Sequence, residues 1–165
     1  MPDIDVQVTD GAWQEDSEDP QSMTRRVVGA LETHLGQSLQ NRELTVRFAS
    51  DAEVRALNAQ FRDKDTVTNV LSFPMARAPG QSDAPLGDVI LARESVLREA
   101  REQGKSVSDH TSHLVLHGVL HLLGFDHGTD EMAEEMESLE RNVLATLGIG
   151  DPYASASVAE ADHGA

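Results

Sequence analysis

Three histidines in the segment HGVLHLLGFDH (117–127) carry the clearest chemical signal in the chain. His117 and His121 are one helical turn apart, so their side-chain roots lie about 6 Å from each other on one face and both imidazoles reach a common point. Gly124 lets the chain leave that helix with positive φ. The turn through Phe125 and Asp126 then brings His127 back over the same point. Three neutral imidazoles around one ion leave a fourth position open, the arrangement of a catalytic zinc site. A structural site is normally closed by four protein ligands, usually with cysteine, and this chain has no cysteine. The expected cofactor is one zinc ion on His117, His121 and His127, and the expected chemistry is hydrolysis. His110 and His113 fall on the same helical face, where supporting or structural roles are expected. Asp126 either orients a ligand histidine from outside or stabilises the turn.

The spacing His-x3-His-x2-Gly-x2-His fits the zinc-peptidase pattern H-E-x-x-H-x-x-G-x-x-H except at one position. Those enzymes use a glutamate after the first histidine as general base. Here that residue is Gly118, which cannot take a proton, so the substrate or the base must differ.

A second patch, LNAQFRDKDTVTNVLSFP (57–74), links a helix to a strand through Arg62, Lys64, Thr66, Thr68 and Asn69. Two cations with several hydroxyl and amide groups suit a phosphate. Composition alone favours a polar surface loop over a phosphate site for this stretch.

The elements that must position these residues follow from periodicity. Residues 4–8 and 43–49 alternate apolar and polar and predict strands; 69–73, ended by Pro74, and 86–92 predict two more. Residues 9–19 are polar and predict a loop. Asp19-Pro20 opens a helix with Met23, Val27, Val28, Leu31 and Leu35 inward and Gly36 as its stop. Ser50 and Glu53 form a capping pair for a helix burying Val54, Leu57 and Phe61. MARAPGQSDAP (75–85) predicts a mobile loop. A short helix through Val96, Leu97 and Ala100 stops at Gly104. Ser106 or Ser108 caps the histidine helix, which is apolar on most sides and so is expected to be a buried central helix. Asp130 is the expected cap of a last helix with Met132, Met136, Leu139, Val143 and Leu147 inward. Strands early and helices late predict an α+β fold: one small mixed sheet of about four strands packed with about five helices. The expected organisation is a single domain over 1–150 and a flexible tail over 151–165.

The 165 residues suffice for one domain with a core. The formal charge is −16, but residues 21–125 balance 12 acids with 12 bases, so the acidity belongs to the two ends. Those ends read as solvated surface and tail. The balanced middle is compatible with a local basic groove, whereas the net charge argues against an obvious general nucleic-acid binder. No apolar stretch is long enough for a membrane span, and the acidic, alternating start shows no signal peptide. A cytoplasmic location with no membrane partner is expected.

LNAQFRDKDTVTNVLSFP, LGDVILA and HGVLHLLGFDH, in that order, resemble the YbeY family of bacterial endoribonucleases, as does the closing EEMESLERNVLATLGIGDPY (134–153). The resemblance covers about residues 40–153. It implies a metal-dependent, single-strand-specific endoribonuclease of ribosomal RNA maturation, notably at the 16S 3′ end, and of ribosome quality control. Its partners would be single-stranded RNA, ribosomal RNA and small-subunit components, with no DNA. The family's zinc ligands fall on His117, His121 and His127, and its essential arginine on Arg62. The family's α+β fold agrees with the pattern of elements. Phe125 stands where the family commonly has tyrosine, and the segment 10–19 and the tail after 153 look peculiar to this chain. Two other readings remain: a zinc hydrolase of another substrate such as a peptide, or a non-catalytic ribosome-assembly factor.

Overall fold

The computed structural model describes residues 2–16, 18–36, 39–75 and 84–153. Four strands, β1 (Asp3–Val8), β2 (Glu43–Ala49), β3 (Val70–Pro74) and β4 (Gly87–Ala92), form one sheet in the order β1-β2-β4-β3. The β1–β2 and β2–β4 pairs are parallel and β3–β4 is antiparallel, so the sheet is mixed. Six helices accompany it among the described residues: α1 (Trp13–Asp16), α2 (Pro20–Leu35), α3 (Asp51–Arg62), α4 (Arg93–Gln103), α5 (Val107–Leu122) and α6 (Asp130–Thr146). The α+β architecture expected from the sequence is present, with one more helix than the periodicity indicated.

Alternation along β2 and β4 divides the core. Leu44, Val46, Phe48, Val89 and Leu91 join α2, α5 and α6 in the main cluster, while Ala49, Leu71, Ile90 and Ala92 join Val54 of α3 in a smaller one. β4, flanked by β2 and β3, is buried at every position but Asp88, as an inner strand covered on both faces must be. β3 is left as an edge, and that edge borders the functional groove.

Several local expectations need correction. Residues 9–19 are not wholly loop. Trp13 in α1 is fully buried, edge-on to Phe48 with centroids 5.2 Å apart, and its indole N–H donates to the Ala49 carbonyl at 2.8 Å. An isolated aromatic in an acidic stretch has no periodicity to announce it, so tertiary packing alone makes it core. Phe61 was expected inward but is 62% exposed: it meets the ring of Phe73 edge-on at an open groove between α3 and the sheet, lined also by Thr45, Arg47 and Asp88. Met132 is likewise exposed. The cap of α6 is Thr129, whose Oγ1 accepts from Met132 N at 3.1 Å; Asp130 is the first helical residue. Of the two serines before α5, Ser106 is the cap, accepting from Asp109 N at 3.1 Å. Ser50 caps α3, but the Glu53 carboxylate turns away to Thr9 and Arg47 instead of closing the box. The loop expected over 75–85 falls largely outside the described residues; Ala84 and Leu86 at its end are buried. The chain stays packed through Tyr153, and the rest of the expected tail also lies outside the described residues.

Candidate metal centre and substrate groove

α5 is the scaffold of the site. Its apolar faces, including Leu114, Val115, Leu116, Val119 and Leu120, are buried, and it packs on α2, α4, α6, β3 and β4. Burial on most sides leaves one stripe for polar chemistry, and the histidines occupy it. Gly124, at φ 101°, turns the chain back past the helix end; the Phe125 N–H donates to the Leu120 carbonyl at 3.0 Å, closing the turn. The Asp126 carboxylate accepts from the His127 backbone N–H at 2.7 Å, which stabilises the turn.

The ligand atoms of His117, His121 and His127 all lie within 4.8 Å of one another. Nε2 of His117 and Nε2 of His121 are 3.1 Å apart, close to the roughly 3.3 Å edge that a tetrahedral ion with N-donor distances near 2.0–2.1 Å requires. The rings of His117 and His127 are stacked, with centroids 5.2 Å apart and planes at 21°. Burial, then the neighbouring His117 and His127, lowers the His121 imidazole from its ordinary value and so favours the neutral form that has a lone pair to give. The three donors therefore fit a divalent cation with nitrogen preference. His127 is exposed, so the centre opens to solvent.

The position after His117 faces the sheet. A Cβ built on Gly118 would stand 2.6 Å from Val89 Cγ1 and 3.0 Å from its Cγ2. Glycine is needed there because α5 packs directly on β4, so a glutamate at 118 would collide with Val89 instead of entering the groove. The departure from the peptidase pattern thus has a steric cause.

A groove of about 690 Å³ runs beside the centre, lined by His117, His121, Phe125 and Asp126 from α5 and the turn after it and by Arg62, Lys64, Thr66 and Thr68 from α3 and the loop that follows. The Arg62 guanidinium donates to the Ser72 carbonyl and lies 5.1 Å from the centre of the Phe73 ring. Ser72 Oγ in turn donates to the Gly118 carbonyl at 3.1 Å. The edge strand β3 therefore ties Arg62 to the helix turn that carries His117. Asn58, buried in α3, donates to the Thr66 carbonyl at 3.1 Å and holds the loop. Asn69, counted among the phosphate-binding candidates, instead commits its Nδ2 to Glu99 Oε1 at 3.0 Å. That same oxygen accepts from His110 Nε2 at 2.8 Å, so His110 is a structural partner well removed from the ion site.

Sequence reasoning missed Glu140. It is fully buried on α6; Oε2 accepts from His117 Nδ1 at 2.6 Å and Oε1 from His113 Nε2 at 3.2 Å. Burial raises its carboxyl, but hydrogen bonds and charge from His113 and His117 outweigh that and bring it down to about 2. Its position supplied a signal: it lies four residues after Met136 and three before Val143, on the buried stripe of α6, where an acid needs a partner.

A sequence profile described as endoribonuclease YbeY matches residues 6–148. The chain belongs to the YbeY family. Relatives named endoribonuclease YbeY include those of Azorhizobium caulinodans, 46% identical over 153 residues (92% of this chain, 96% of the relative), and of a Chelativorans species, 49% identical over 154 residues (92% and 93%). That of Agrobacterium fabrum is 55% identical over 114 residues, 68% of each chain. The solution structure of TM1509 from Thermotoga maritima shares the fold, with a TM-score of 0.56 over 87% of this chain and 91% of the other at 23% identity. The family match begins well before residue 40, so the segment 10–19 with Trp13 falls inside the family's span.

Proposed function

We propose that this chain is a zinc-dependent, single-strand-specific endoribonuclease acting in ribosomal RNA maturation at the 16S 3′ end and in ribosome quality control. In this reading His117, His121 and His127 hold one zinc ion and Arg62 is the catalytic cation. The observation that carries it is the single groove lined by both Arg62 and two of the three clustered histidines, His117 and His121. A zinc ion in such a site supplies Lewis-acid polarisation and acidification of water. The chain's own residues do the rest. Arg62 offers planar paired donors to phosphate oxygens as charge builds on them. Its hydrogen bond to Ser72 and its place over Phe73 hold the guanidinium at the groove edge. Lys64, Thr66 and Thr68 extend the donor surface along the backbone path. RNA brings its own 2′-hydroxyl nucleophile, so the lack of a glutamate at 118 is no obstacle, whereas it removes the base a peptidase would need. Ribosomal RNA and small-subunit components are the proposed partners and the cytoplasm the proposed location. Among the described residues no helix is long and apolar enough to cross a membrane.

The test is cleavage by purified wild type, His117→Ala and Arg62→Ala of single-stranded RNA, its duplex form and a peptide panel. Cleavage confined to single-stranded RNA and lost in both variants is expected. Cleavage surviving both substitutions would sink the reading; peptide cleavage would move the substrate; no cleavage by any of the three would favour an assembly factor.

A further inference from the structure

Glu140 is held by three donors from three directions. His117 Nδ1 stands 2.6 Å from Oε2, His113 Nε2 stands 3.2 Å from Oε1, and the Tyr153 hydroxyl also donates to Oε1. A carboxylate can only accept from these groups, so His117 must carry its proton on Nδ1. A neutral imidazole has one N–H, which leaves the lone pair on Nε2, the nitrogen 3.1 Å from His121 Nε2. Tyr153 is fixed in its turn. Its ring is edge-on to His113 with centroids 5.6 Å apart, its backbone N–H donates to Asp151 Oδ1 at 2.8 Å, and Lys105 Nζ donates to the Pro152 carbonyl at 3.2 Å. Residues 151–153 thus strap the back of the site.

We propose that Glu140, braced by Tyr153, is the positioning residue of the metal centre: it sets the tautomer and ring orientation of His117 so that Nε2 faces the ion. This rests on the reading of His117, His121 and His127 as ligands. His113, His117 and Glu140 also lie close enough together to hold an ion themselves. That arrangement would require His113 Nε2 and His117 Nδ1, the nitrogens now turned to the carboxylate, to become ion ligands in place of hydrogen-bond donors. Protons shared between nitrogen and carboxylate satisfy the same atoms without one. A carboxylate behind a ligating histidine raises its basicity and prevents ring rotation, and loss of such a partner costs about 10–100-fold in metal affinity.

The experiment is competition for zinc against a chromophoric chelator by wild type, Glu140→Gln and Tyr153→Phe, with thermal melting of each metal-free protein as the folding control. Glu140→Gln should weaken zinc by about 10–100-fold and Tyr153→Phe by a smaller factor in the same direction. Both variants binding zinc as tightly as wild type would overturn the proposal. A wild type that takes up no tight equivalent of zinc would sink the metal reading itself, and this proposal with it. Nitrogen-15 NMR of zinc-loaded wild type needs no variant to fold. His117 with a protonated Nδ1 and a metal-shifted Nε2 is expected; a metal-shifted Nδ1 contradicts the proposal.

Discussion

The two walls of the groove are built on opposite terms. The α5 wall is a helix buried on most faces, closed by a glycine turn, with His117 locked from behind by Glu140. The wall formed by α3 and the 63–69 loop is exposed from Arg62 to Val67, and its Arg55–Asp65 pair lies in solvent, where such pairs contribute little. The contrast follows from the ligands. Metal ligation tolerates only a few tenths of an ångström of error and gains from groups ordered before the ion arrives. The proposed phosphodiester strand varies in path, and an exposed guanidinium or ammonium can follow it. Two threads join the walls: Ser72, which donates to Gly118 and accepts from Arg62, and Glu99, which accepts from both Asn69 and His110.

Substitutions on the two walls should therefore fail differently. His117→Ala should have the largest effect, a loss of RNA cleavage beyond about 100-fold together with loss of tight zinc, because a protein ligand of a three-ligand site is gone; steady-state cleavage and metal analysis check both. Arg62→Ala should lower cleavage by roughly 10²–10³-fold, as removal of one donor to developing charge does, with zinc content and melting temperature unchanged. Arg62→Lys should recover only part of this, since an ammonium lacks the planar fork. If zinc content fell with Arg62→Ala, the two walls would not be separable as described.

Gly118→Ala tests the helix wall from its buried side. The new methyl meets Val89 Cγ1 at 2.6 Å, and overpacking of this kind costs about 1–3 kcal/mol. Denaturant unfolding should show that loss, and zinc affinity should fall with it because α5 must shift against β4. Normal stability in this variant would contradict the close approach.

The smallest effect is expected at Glu99. Burial raises its carboxyl, but hydrogen bonds from His110 and Asn69 outweigh that, leaving it below its ordinary value of 4.5. Its contribution to stability is then fully present above pH 4.5 and lost as pH falls through the lower folded value. Glu99→Gln should flatten the acid side of the stability–pH curve by a modest amount and leave zinc binding near pH 7 intact. An unchanged acid limb would mean that the Glu99–His110 bond contributes nothing to folding.

Much of the helix wall was legible in the sequence because helical geometry converts spacing into direction. Positions four apart on a helix must share a face, and a glycine three residues on must allow a reversal. Arg62 was reached through resemblance and motif, since nothing in the composition of an exposed loop separates a working arginine from a solvated one. The roles of Glu140, Tyr153 and Trp13 were missed for a different reason, although Glu140's place on the buried stripe of α6 was itself readable. Each acquires its role from partners far along the chain: Glu140 from α5, Tyr153 from Glu140, and Trp13 from the Ala49 carbonyl. Phe61 failed in the opposite sense. Its place on the apolar stripe of α3 is real, but an open groove lined also by Thr45, Arg47 and Asp88 lies between it and the sheet, and periodicity does not encode how closely a helix end packs.

The central claim joins one zinc ion at the histidine cluster to RNA cleavage. It is tested most directly by stripping the protein of metal and titrating zinc back while following cleavage of a single-stranded RNA. The account predicts activity that is absent without metal, rises linearly to an endpoint at one equivalent, and never appears in His117→Ala. Full cleavage by the metal-free protein, or equal recovery in His117→Ala, would contradict it.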